Sequence, residues 1–214
     1  MIIKHFMSLG ICCDSLYFMK KLGDDIRIPG PVDNCAGNPE SINYLLNGKF
    51  LNDIINENVT YENDGITTLN ESKFLITHND FTSLKFKIGL RHRLLNLFQY
   101  IYNSQYDNSL WFVISITSFI NNENELYKFI NELPLYIKQK LIIIQGRENN
   151  YSNIFDNIKE YPVFNIYKDK IDLARITSDD FIKLFNNFLQ NNINFYNSLN
   201  NSNWSSLQIN IINK

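Results

Sequence analysis

Three short stretches restrict this chain more than anything else in its sequence: Leu110 to Ile116, Lys140 to Gln145 and Val163 to Tyr167. Each reads as a strand, and the first two are apolar nearly throughout. A strand with one wet face alternates apolar and polar residues, whereas an unbroken apolar run is covered on both faces. That pattern belongs to a largely parallel sheet with helices on either side. Helical patterns separate the three runs. Asn122 to Lys138 reads as one helix, and Ile154 to Tyr161 as a short one. Ser178 to Asn192 reads as a helix that begins at a good N-cap and runs on towards Leu199.

The first half of the chain feeds the same architecture. Ile2 to Leu9 reads as a buried strand, and Asp14 to Leu22 as a helix ending at Gly23. Residues 24–38 hold Pro29, Gly30, Pro31 and Gly37, followed by Pro39, and are expected to form a loop. Ser41 to Ile55 fits one or two short helices broken near Gly48. Val59 to Tyr61, Gly65 to Leu69 and Lys73 to Thr77 look like a meander of short strands. The most regular helix is Leu84 to Asn103, where Phe86, Leu90, Leu94, Leu97, Phe98 and Ile101 recur every three or four residues. The expectation is one α/β domain over residues 1–199, a largely parallel sheet flanked by helices, with a small antiparallel meander. Residues 200–214 are read as a polar tail or a late edge strand.

Composition removes several classes of function. A net charge of −2 gives no broad electrostatic attraction for nucleic acid or an anionic membrane, and neither is expected as a partner. No run of about twenty apolar residues is present to span a bilayer. The N-terminus lacks the features of a signal peptide. Three cysteines, two of them adjacent, suit a reducing compartment, so a cytoplasmic location is expected, or the host cytosol for a viral chain. The chain has no Gly-rich dinucleotide fingerprint after its first strand, no Walker-type lysine motif, no Cys-x-x-Cys and no Gly-x-Ser-x-Gly elbow. With three cysteines and three histidines, no metal and no cofactor are expected.

The chemistry-bearing residues that remain are few. Cys12 and Cys13 lie between the first strand and the first helix, where unpaired backbone N–H groups and the helix dipole favour a thiolate. The same position also suits a small buried residue packing a strand–helix junction. Asp33 follows Pro31 in the breaker-rich loop. His78, with Asp80 just after it, closes the third strand of the meander, which suits acid–base work as well as an ordinary half-buried imidazole. Arg91 and Arg93 lie largely off the apolar stripe of the long helix, either as a solvated face or as weak anion-binding candidates. His92 stands between two arginines that disfavour its protonation and is set aside. Nucleophile, orienting carboxylate and general base are the residue types that thiol-based acyl transfer requires.

The segment Ser8-Leu9-Gly10-Ile11-Cys12-Cys13, then Pro31-Val32-Asp33-Asn34, then His78 with Asp80, and the basic helix around Arg91 and Arg93 together resemble a bacterial and viral family of predicted papain-like cysteine peptidases. Members of that family open with Ser-Leu-Gly, two variable residues and Cys. They carry Pro-Phe-Asp-Trp some twenty residues on, and later a His-Asp pair ahead of a helix with paired basic residues. The resemblance covers roughly residues 2–116. It implies Cys13 as nucleophile, with Cys12 as its neighbour, His78 as general base and Asp33 as the orienting carboxylate, with Asp80 as an alternative to Asp33. Backbone N–H groups near Gly10 would hold the oxyanion. The implied substrate is a peptide or an acyl-containing small molecule. This chain departs from the family pattern at Val32, at Asn34 and at Asn79, which separates His78 from Asp80. The alternative reading from the residues is an inactive α/β module that binds a ligand or regulates a host partner. The oligomeric state is not legible.

Overall fold

The computed structural model describes residues 1–9, 14–28, 30, 35–36, 39–62, 65–68, 73–76, 83–104, 109–115, 123–145, 161–166, 169–172 and 175–209. Its centre is a five-stranded, wholly parallel sheet. The strands are β2 (His5–Ser8), β3 (Arg27–Ile28), β8 (Leu110–Ser115), β9 (Leu141–Gln145) and β10 (Val163–Asn165), and they lie in the order β3-β2-β8-β9-β10. Counted along the chain, that order is second, first, third, fourth, fifth. The chain therefore builds outward in one direction from β2, then crosses back and builds in the other. The point of reversal lies between β2 and β8.

Both faces of this sheet are dry, as the unbroken apolar runs demand. Along β8 the side chains alternate between two cores. Leu110, Phe112 and Ile114 join one, and Trp111 and Val113 join the other. Leu141 and Ile143 of β9 split from Ile142 and Ile144 in the same way. The first core is covered by α2 (Pro39–Leu46), α3 (Lys49–Ile55), α4 (Leu84–Ser104), α5 (Glu123–Glu132) and α6 (Leu135–Lys138). The second is covered by α1 (Asp14–Leu22) and α7 (Ser178–Asn191). Helices on both faces of a parallel sheet make this a doubly wound α/β fold.

The second core is dominated by aromatic rings. Phe185 of α7 meets Phe18 at 4.9 Å and Phe164 at 5.2 Å between ring centroids, both edge-to-face, with Phe6 at 6.0 Å. Phe181, Phe185 and Leu189 recur every four residues, which puts all three on the buried side of α7. That helix is capped by Thr177, whose hydroxyl accepts from the Asp180 N–H at 3.2 Å.

The amino edge of the sheet is closed by α8 (Ile193–Asn200). Its Tyr196 packs on Trp111 at 4.9 Å and donates to the Leu141 carbonyl at 3.4 Å. At the same edge the Gln139 side chain donates to the Leu199 carbonyl and the Asn200 side chain donates to the Gln139 carbonyl. Burial pushes the phenols of Tyr196 and Tyr161 well above the ordinary tyrosine range. A two-stranded parallel pair, β1 (Ile2–Ile3) with β11 (Gln208–Ile209), sits beside this region. Asn186 of α7 extends it by hydrogen-bonding both the N–H and the carbonyl of Ile209.

Between β3 and β8 the chain inserts a four-stranded antiparallel sheet. It consists of β4 (Cys35–Ala36), β5 (Val59–Glu62), β6 (Gly65–Thr68) and β7 (Lys73–Ile76), in the order β4-β7-β6-β5. Ile66 anchors it in the first core, and Lys87 of α4 lies over the Tyr61 ring at 4.4 Å.

Several boundaries differ from the sequence reading, each for a local reason. The run Ile2 to Leu9 splits into two strands because the N–H groups of both Lys4 and His5 bond to the Ser109 carbonyl, which interrupts the ladder. Residues 24–38 are not a simple loop: Arg27 and Ile28 pair with Phe6 and Met7, and Cys35 and Ala36 start the small sheet. Two-residue strands between breakers carry no periodicity to read. Asn122 to Lys138 is two helices, since Pro134 lacks the N–H that would continue α5. The break between α2 and α3 falls at Gly48, which adopts φ 76°, a conformation costly for any residue with a Cβ. The expected helix at 154–161 falls, apart from Tyr161, outside the described residues. No described helix is long and apolar enough to cross a membrane.

Because Phe185 is fully buried at the centre of the ring cluster, Phe185→Ala is expected to destabilise the protein by about 3–5 kcal/mol. The exposed Asn187→Ala on the same helix should change stability by no more than about 0.5 kcal/mol. Urea denaturation of both variants checks the assignment of the buried face.

Candidate functional site

In doubly wound sheets the strand ends at the point of reversal leave a crevice on the carboxyl side, because the connections there run to opposite faces. Here that point is the carboxyl end of β2 beside β8. Leu9, just past β2, continues the ladder with its N–H donating to the Val113 carbonyl at 2.9 Å. The chain is next described at Asp14, the first residue of α1. The two sides of this gap are tied together. The hydroxyls of Ser8, at the end of β2, and Ser15, in the first turn of α1, lie 2.7 Å apart, and both residues are fully buried.

The far end of α1 is held as firmly. Phe18, Met19 and Leu22 are buried in the second core, and the Lys21 ammonium donates to the Ile176 carbonyl at 3.0 Å. The start of α1 is therefore a fixed point. Its first N–H groups, which have no carbonyl partner within the helix, sit at the carboxyl edge of the sheet.

Gly10, Cys12 and Cys13 fall in this gap and lie outside the described residues, as do Asp33, His78 and Asp80. What is described is the pair of strands flanking the last three. Cys35 of β4 stands opposite Ile76 of β7 in an antiparallel ladder. Asp33 precedes Cys35 by two residues and His78 follows Ile76 by two, so the segments that carry them join one and the same end of that ladder. The small sheet and the β2 exit share a core, with Ile66 in the same cluster as Met7 and Leu9.

Arg91 is exposed on α4. Arg93 is half-buried, with its guanidinium 5.7 Å from the Phe86 ring centroid and its Nε buried without a hydrogen-bond partner among the described residues. Two residues apart on a helix means roughly 200° of rotation, so the two arginines do not share a face.

The carboxyl edge holds polar residues that the sequence reading passed over. Ser8, Ser115 and Gln145 are the last residues of β2, β8 and β9, and each is fully buried. Gln145 accepts from Asn165, the last residue of β10, at 2.9 Å, but among the described residues its own Nε2 has no partner. The Ser115 hydroxyl has none either. The signal in the sequence is a single polar residue closing an otherwise apolar strand, which reads as a mere strand terminus until the strands are aligned at one edge.

No protein-family model matches the chain, and no curated protein or solved structure matches it.

The Ser8–Ser15 pair generates a measurable expectation. Ser8→Ala removes one buried hydrogen bond to the Ser15 hydroxyl and should cost about 1 kcal/mol of stability. In a double-mutant cycle with Ser15→Ala, the double variant should be destabilised by less than the sum of the single ones, as read from urea unfolding.

Proposed function

We propose that the protein is a thiol-dependent hydrolase acting on a peptide or another acyl compound, with Cys13 as nucleophile, His78 as general base and Asp33 as the carboxylate that orients the imidazole. Asp80 stands as the alternative to Asp33. The observation that carries the reading is the location of the thiol segment. In the sequence Cys13 directly precedes Asp14, the first residue of α1, and the described residues on either side of its segment, Leu9 and Asp14, flank the reversal point of the doubly wound sheet. That is where such folds bind their ligands, and the clamped start of α1 turns the positive end of a helix dipole towards a negative charge. The second support is the Cys35–Ile76 pairing, because the segments bearing Asp33 and His78 join the same ladder end.

The chemistry follows from those roles. His78 accepts the thiol proton, and the Cys13 sulfur attacks the acyl carbon. The carbonyl electron pair moves onto oxygen, where backbone N–H groups around Gly10 and the first turn of α1 stabilise it. Collapse expels the leaving group, which takes the proton from His78, and leaves a thioester. Water, activated by the same imidazole, then releases the acid and restores the thiol.

Alkylation by iodoacetamide tests the reading without a known substrate. Cys13 should react with a midpoint well below the ordinary thiol value of about 8.5, and that low-pH reactivity should disappear in His78→Ala. Cys12→Ala should leave it intact. If Cys13 reacts only above pH 8 in the folded protein, the chain is a binding module in which this cysteine packs a junction. If Cys12 carries the reactivity instead, the nucleophile shifts by one residue.

A further inference from the structure

We propose that the exposed face of α4 seats a second copy of this chain, the two helices packing antiparallel about a two-fold axis through Leu95. The inference is independent of the thiol chemistry and uses none of its residues.

The face is apolar where a surface helix is ordinarily polar. Leu84 is 72 % exposed, Ile88 50 %, Leu95 45 % and Tyr102 62 %. Single exposed apolar side chains are normal, and among the described residues β1, α1, α3, α6 and α7 carry one large one each. On α4 they fall in line. At about 100° of rotation per residue, the four positions spread over only about 40° of the helix circumference. Ile88, Leu95 and Tyr102 repeat every seven residues, the period that keeps a seam turned towards a second helix. The stripe of Leu90, Leu94, Leu97 and Ile101 lies more than about 90° away and is buried in the first core. The helix thus has two apolar faces, and the fold buries one of them.

Charge decides the occupant and its direction. Lys85, Lys87, Arg91, His92 and Arg93 all lie in the first half of α4, residues 94–104 carry no charge, and the helix has no acid. Two copies laid parallel would set Arg91 beside Arg91, with the rest of each basic half alongside. Laid antiparallel about Leu95, each basic half lies level with an uncharged one. Ile88 then stands at the level of Tyr102 of the second copy, and Arg91 at the level of Gln99. The two Arg91 positions are eight residues apart along the axis, about 12 Å. That exceeds the Debye length of about 8 Å at physiological ionic strength, so their repulsion is largely screened. Leu95, midway along the seven-residue repeat, meets its own copy, as a two-fold contact requires. A foreign acidic helix would complement only the basic half, whereas a second copy matches the stripe along its length.

The stripe from Leu84 to Tyr102 is about 27 Å long. A single helix pair of that length falls at the low end of interface sizes, so the dimer has a Kd on the order of tens of micromolar.

Sedimentation velocity of the full chain from about 2 to about 500 µM tests the proposal. The mass should rise from the 25.2 kDa of one chain towards twice that value. Leu95→Glu sets a carboxylate against its own copy and should raise the Kd at least about 100-fold. Because the position is exposed, its thermal midpoint should stay that of the wild type. Leu135→Glu, at an exposed apolar position on α6, should dimerise as the wild type does. Mild oxidation of Leu95→Cys and Tyr102→Cys reads the direction, with peptide mass spectrometry separating the new disulfide from the native cysteines. Position 95 should cross-link to itself. Position 102, about 21 Å from its copy along the axis, should not.

A chain that keeps the mass of one copy at the highest concentration overturns the proposal and makes a foreign acidic helix the better occupant. A dimer whose Kd is unchanged in Leu95→Glu overturns it as well, since the contact then lies elsewhere. If Leu95→Glu unfolds, the Leu95→Cys cross-link decides alone, and its absence overturns the proposal. Cross-linking at position 102 as readily as at 95 overturns the antiparallel direction. The thiol reading is decided separately, by alkylation.

Discussion

Two-sided burial of the parallel strands is the constraint from which the rest of the structure follows. Every residue of β8 and β9 is buried, and each strand sends alternate side chains into two separate cores. A sheet in that state needs a helical layer on each face. The parallel strand direction also requires long crossover connections, which the chain provides as α1, α4 and α5. Once α1 lies on one face and α4 and α5 on the other, the connections after β2 and after β8 must part company at the carboxyl edge. The crevice is a consequence of the winding, with no separate cause.

The edge opposite the crevice is sealed by α8, through Tyr196 on Trp111 and through the hydrogen bonds of Leu199 and Asn200 with Gln139, just past α6. Polar residues at the strand termini are thus concentrated on the carboxyl side, at Ser8, Ser115, Gln145 and Asn165. Three of these four hydrogen-bond, Ser8 with Ser15 and Asn165 with Gln145, while the Ser115 hydroxyl and the Gln145 Nε2 have no partner among the described residues. Chemistry at this edge would act on groups that the fold has already desolvated and fixed, which is the condition for strong electrostatic stabilisation of a transition state.

Much of this architecture was legible before any coordinates. The unbroken apolar runs at 110–116 and 140–145 gave the buried parallel sheet, and the four-residue recurrence of Leu90, Leu94, Leu97 and Ile101 gave α4. The short strands escaped because β3 is only Arg27 and Ile28, too brief for any periodicity, and because its place beside β2 is set by tertiary pairing. The long helix expected over 122–138 ignored Pro134, where a missing N–H outweighs the apolar pattern on either side. The site divided in the same way. Cys13 was singled out from its place between an expected strand and an expected helix, a local feature, and lies outside the described residues. The buried Ser115 was passed over because its place at the sheet edge depends on the pairing of β8 with β2, strands about a hundred residues apart in the chain.

The account comes down to whether the segment after β2 and the segment after β7 meet at the carboxyl edge. The most direct measurement is the distance between the Cys13 sulfur and the nearer ring nitrogen of His78 in a crystal structure of the protein. The account predicts a separation of about 3–4 Å, the reach of a hydrogen bond between thiol and imidazole. A separation greater than about 8 Å, with the imidazole turned away from the start of α1, would contradict it.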